Sequence, residues 1–66
     1  MSEQKLIDAA MEIRDSIKMG LLKKHISQVQ IGKMIGEGEA QVSRAVNGDM
    51  SPKSVAIRQK IYEIIE

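Results

Sequence analysis

Residues 28–47, QVQIGKMIGEGEAQVSRAVN, decide how this chain is read. Apolar residues fall at Ile31, Met34 and Ile35, then at Val42, Ala45 and Val46, a spacing that gives each of two short helices one inward face. Ser27 precedes the first as a good N-cap, with Gln28 in its first turn. Gly36 follows the last apolar residue, where a left-handed C-cap is expected, and Glu37-Gly38 completes a sharp turn. Glu39 to Asn47 make the second helix, and Asn47-Gly48-Asp49 is a strong stop signal. Gly32 stands where two steeply crossing helices would touch, and Val42 is the branched anchor of the second.

On either side of this unit the pattern stays helical. Residues 2–24 carry Leu6, Ala10, Ile13, Ile17 and Leu21 in one stripe, with Ile7, Met11 and Leu22 in a second beside it. Burial of both stripes in the chain's own core is favoured over use of the second in a dimer. Ser2 can cap this helix, Glu3 suits its first turn, and Gly20 is a weak point where it can kink or end. After the stop, Ser51 and Pro52 open a closing helix as N-cap and first residue. Val55, Ile57, Ile61, Ile64 and Ile65 form its apolar face, with Tyr62 at the edge. The expected fold is all-α: one domain over residues 1–66, a compact bundle of about four helices.

Composition narrows the function classes. With 66 residues the chain is near the lower limit for a domain without staples. It has no cysteine, which excludes disulfides and thiolate metal sites and leads us to expect a reducing, cytoplasmic home. No apolar run approaches the ~18–20 residues of a membrane span, and no signal-peptide pattern opens the sequence. A single Tyr is the only aromatic, so a base-stacking platform for single strands is not expected. Net charge is +1, so any basic face must come from arrangement. His25 reads as a helix C-cap or a solvated residue. Glu3, Asp8, Glu12 and Asp15 alternate with Arg14 and Lys18 as a solvated helix face, Lys23-Lys24 as plain surface, and the methionines as core filler. Gly36-Glu37-Gly38 follows a helix and is too short to cradle a nucleotide phosphate. Neither an enzyme nor a cofactor is indicated.

Two short helices, a glycine at their crossing, a left-handed turn and a polar outer face make the pattern of a helix-turn-helix over 28–47, whose second helix is shaped to enter the major groove of DNA. The outward positions carry groove-reading chemistry: Glu39, Ala40, Gln41, Ser43, Arg44 and Asn47 are the candidate base readers. Gln41 can pair with adenine, Arg44 with guanine, and the Ala40 methyl can rest against a thymine methyl. Gln28, Lys33, Ser51, Lys53 and Ser54 are the candidate phosphate contacts, the last three near a helix N-terminus.

The segment ISQVQIGKMIGEGEAQVSRAVNGDMSP, residues 26–52, resembles the helix-turn-helix of the Cro/C1-repressor class of phage regulators. The resemblance implies a lambda-repressor-like fold and a small phage or prophage regulator in a bacterial cell, binding a double-stranded operator as a homodimer. It further implies that Gln28 contacts a phosphate and braces the recognition helix, that residues 39–41 and Arg44 face the bases, that Asn47 reaches backbone or bases, and that residues 48–54 lie along phosphates. Two positions depart from the class. Glu37 stands where an apolar residue is usual, so either the turn is rearranged or this side chain points to water. Glu39 either accepts from a cytosine amine or favours its own helix N-terminus, and the second is preferred. Charges across residues 26–48 cancel, Lys33 and Arg44 against Glu37 and Glu39. That neutrality keeps a second expectation open, a protein-interaction module that binds another regulator, as an anti-repressor would. An antitoxin-type regulator is a third, less favoured because no toxin-binding tail is seen. The dimer surface is left between the closing helix and the spare stripe of the first.

Overall fold

The computed structural model describes the backbone of residues 2–66 and the side chains from Ala9 onward. The expected roles of Ser2, Glu3, Leu6, Ile7 and Asp8 lie outside the described side chains. Four helices and no strand make up the described residues: α1 (Ser2–Lys23), α2 (Gln28–Ile35), α3 (Glu39–Val46) and α4 (Pro52–Ile65). They gather around one core, with a radius of gyration of 11.5 Å and a longest extent of 37 Å.

Local chemistry fixes the helix ends. Ser27 and Gln30 form a reciprocal capping box: the Ser27 hydroxyl accepts from the Gln30 amide at 3.0 Å, and the Ser27 amide donates to Gln30 Oε1 at 2.8 Å. Ser51 caps α4, accepting from the Ser54 amide, with Pro52 in the first turn. At their C-termini, α1, α2 and α3 end alike, each on one left-handed residue: His25 (φ 58°), Gly36 (φ 73°) and Gly48 (φ 92°). In each case the next amide donates to the carbonyl five residues back: Ile26 to Leu21, Glu37 to Gly32 and Asp49 to Arg44, at 2.9, 2.9 and 3.1 Å. This Schellman closure satisfies carbonyls that a helix end would otherwise leave open. His25 thus does serve as a C-cap.

Ile17, Ile31, Val42, Ala45, Val46, Ile57 and Ile61 are fully or almost fully buried, and Leu21 nearly so. Each buried Ile, Leu or Val contributes ~1.5–3 kcal/mol. From the first stripe of α1, Ile17 and Leu21 therefore enter the core, with Ile13 packed against it. From the second, Met11 and Leu22 do not, contrary to expectation: they are 47% and 69% exposed. A long helix crossing a small globule can be covered on one side only. Met34 and Val55 are also on the surface instead of in the core.

Gly20 does not end α1, which runs on to Lys23. A Cβ added there would lie 2.6 Å from Ile65 Cδ1, so the glycine admits α4 against α1. Gly32 does what its position promised: a Cβ there would meet Val42 Cγ2 and the Glu37 carbonyl, each at 3.3 Å.

Candidate nucleic-acid interface

α3 is seated on its partners by Val42, Ala45 and Val46, all buried. At about 100° per residue the centre of the opposite arc falls on Ala40, Arg44 and Asn47. These three are exposed, as is Glu39, while Ser43 and Gln41 are half-buried on the flanks. The six candidate base readers thus divide into three at the centre of the outer face and three at its margins. Gln41 reaches outward only from the side.

Not all of these side chains are idle. Asn47 turns back on its own helix, its Nδ2 donating to the Ser43 carbonyl at 2.8 Å and to the Ser43 hydroxyl at 3.4 Å. Glu39 is the acid of α3's first turn, and Gly38 offers that helix no side-chain cap. The carboxylate therefore lies beside the positive end of its own helix.

Glu37 follows neither expected course. The turn keeps its Schellman geometry, and the side chain is only 10% exposed. It turns in toward α4, where Lys53 Nζ stands 3.1 Å from one carboxylate oxygen and Lys60 Nζ 3.2 Å from the other. Hydrogen bonds from Lys53 and then Lys60 hold the carboxyl below its ordinary value. A carboxylate is accommodated at this largely covered position because two lysine ammoniums pair with it. Lys53, a candidate phosphate contact, is thereby already paired.

The α3–α4 connection is knitted in a similar way. Asp49 accepts from the hydroxyls of Ser51 and Ser54, both at 2.6 Å. Those bonds, Ser51's first, lower its carboxyl from the ordinary value, with Arg44 adding a smaller attraction. Ser54 is 1% exposed, so its side chain is no surface group for a phosphate, against the sequence expectation. Its amide is spent on the Ser51 cap. Ser51 remains on the surface, Lys33 is exposed on α2, and Gln28 is half-buried in the first turn of α2.

Arg58 was missing from the sequence reading. It is 6% exposed, and its Nη1 donates to the carbonyls of Ala45 at 3.0 Å and Asp49 at 2.6 Å. Nη2 lies 3.8 Å from Met50 Sδ. One buried guanidinium thus closes the C-terminal end of α3 and fixes the loop behind it to α4. The signal was present: residues 54, 57, 58 and 61 share one helical stripe, and a charge in such a stripe must be paired or bonded.

Among the described residues no group of His, Asp and Glu is placed to hold a metal ion, and no helix is long and apolar enough to cross a membrane. No protein-family model matches the chain, and neither a curated protein nor a solved structure proves similar to it.

Proposed function

We propose that this chain is a sequence-specific, double-stranded DNA-binding transcriptional regulator of the Cro/C1-repressor kind, of phage or prophage origin, working in the bacterial cytoplasm. The observation that carries the reading is the outer arc of α3. Ala40, Arg44 and Asn47 face outward from a short helix whose inner arc is fully seated and whose C-terminal end is fastened by Arg58. A helix of 8 residues, about 12 Å long, spans only a few base pairs of a major groove. Useful specificity then calls for two copies on a pseudo-palindrome, with half-sites about one helical turn apart. Occupying an operator that overlaps a promoter would block the polymerase.

The test is selection from a random duplex pool, followed by the affinity of the winning sequence against salt. An enriched inverted repeat with a steep salt slope supports the reading. No enrichment and no binding at low salt would refute it. The second reading, a domain that binds another regulator, is favoured by the pairing of Glu37 with two lysines and by the outer face of α2. There Val29 and Met34 are 47% and 57% exposed. A stable complex with another regulator, indifferent to Arg44→Ala and Gln41→Ala, would establish it.

A further inference from the structure

Two ammoniums hold one carboxylate where α2 turns into α3, and the charges do not balance. Lys53 Nζ stands 3.1 Å from Glu37 Oε1 and 3.3 Å from Oε2, and Lys60 Nζ stands 3.2 Å from Oε2. The cluster therefore carries one positive charge in excess. Glu37 is 10% exposed and its carboxyl is held below the ordinary value, so at neutral pH it is a largely covered anion that needs a cation beside it. One lysine meets that need, and the second is surplus. Both lysines are open to solvent, at 59% for Lys53 and 49% for Lys60.

Which of the two is free to leave follows from where each stands. Lys53 is in the first turn of α4, at the positive end of that helix and within the loop and helix start expected to lie along phosphates. Lys60 stands about two turns (~10 Å) further along the axis, in mid-helix. An anion arriving at the helix end meets Lys53 first and gains the field of the helix as well. We propose that the cluster accepts one phosphate group from outside: Lys53 leaves Glu37 for a phosphate oxygen, while Lys60 stays and keeps the carboxylate neutralised. Lys60 is thus a positioning residue for the phosphate contact. Without it, the departure of Lys53 would strand a covered negative charge beside the incoming one. The inference rests on the proposed DNA reading for the source of the phosphate, and on the excess charge for its site.

A double-mutant cycle on DNA affinity tests it, with far-UV circular dichroism confirming that each variant is folded. Phosphate contacts carry no sequence information, so a mixed-sequence duplex at low salt is a sufficient probe. Lys60→Gln should weaken binding about fivefold in the wild-type background and have no effect beside Glu37→Gln. Lys60→Arg keeps the charge and should bind as the wild type does. An equal loss in both backgrounds overturns the inference, because Lys60 is then itself a phosphate contact, and no loss in either overturns it too. If no variant binds any duplex, the DNA reading falls, and inorganic pyrophosphate decides the inference by itself. Titrated with pyrophosphate and followed by NMR of the lysine ammoniums, Lys53 should shift saturably while Lys60 holds its place. Equal shifts, a shift at Lys60 alone, or no shift at either would overturn the handover.

Discussion

Gly48→Ala is expected to be the most damaging single-methyl addition in the turn regions, and the structure says by how much. Two separate terms act. At φ 92° an L side chain is strained, costing ~1–2 kcal/mol. The added Cβ would also lie 2.8 Å from Ala10 Cβ and 2.9 Å from Ala10 Cα. Neither atom can swing aside, because both belong to the body of α1, so overpacking adds ~1–3 kcal/mol. The sum, ~2–5 kcal/mol, is a large share of the ~3–10 kcal/mol expected of a chain this size. Gly36→Ala is the internal control. Its φ is also positive, at 73°, but an added Cβ meets nothing within 4 Å. It should lose only the backbone term, ~1–2 kcal/mol. In thermal denaturation followed by circular dichroism, the losses translate to roughly 4–16 °C for Gly36→Ala and 8–40 °C for Gly48→Ala. Equal shifts in the two variants would refute the contact between the α3–α4 turn and α1, and with it the seating of the turn that follows α3.

Other substitutions probe other parts of the design. His25→Gly should raise stability by ~0.5–1 kcal/mol in urea titrations, since the left-handed residue closing α1 gains nothing from its Cβ; a loss would mean that the imidazole has an unrecognised partner. Glu37 and Asp49 are both held below their ordinary values of 4.5 and 3.8, so their stabilisation is complete above that range and fades as pH falls through the lowered values. Urea midpoints should therefore be flat from about pH 7 to 5 and drop below about pH 4, and Glu37→Gln should shrink the drop. Arg44→Ala should cost ~1–3 kcal/mol of operator affinity and relax preference at one position per half-site, read by competition between duplexes. Glu37→Gln should also free Lys53 and Lys60, raising affinity for every duplex and steepening the salt slope by about one; an unchanged slope would place those lysines away from DNA.

What was legible in the sequence was mostly what is settled within a few residues. The Ser27 cap, the Gly36 turn, the Asn47-Gly48 stop and the Ser51-Pro52 start each depend on backbone conformation and a neighbour three to five positions away. The inward faces of α3 and of the first α1 stripe followed from helical period alone. What escaped required partners distant in the chain. Gly20 looked like a helix breaker because Ile65, which needs the space, is at the other end of the sequence. Glu37 admitted two answers and took a third, because Lys53 and Lys60 both stand on α4, 16 and 23 residues further along the chain. Ser54 looked like a surface hydroxyl, yet it is buried and donates its hydrogen bond to the Asp49 carboxylate at the edge of the core. Arg58 was flagged by its place in an apolar stripe, but its acceptors, the carbonyls of Ala45 and Asp49, belong to another part of the chain. For the candidate interface the same division holds: the polar face of α3 was readable from spacing, but not which of its members are turned aside.

The division of labour within α3 bears on how the proposed recognition surface could change its target. Folding is invested in Val42, Ala45 and Val46 and in the guanidinium that arrives from α4. Glu39, Ala40 and Arg44 project outward and donate no hydrogen bond that holds the helices together. Mutation at those three positions therefore explores new surfaces while the scaffold stays intact, and a library randomised there should consist largely of folded members. A lineage carrying this scaffold can drift from one binding specificity to another through intermediates that all fold. The same freedom makes the outer arc a natural place to begin engineering it.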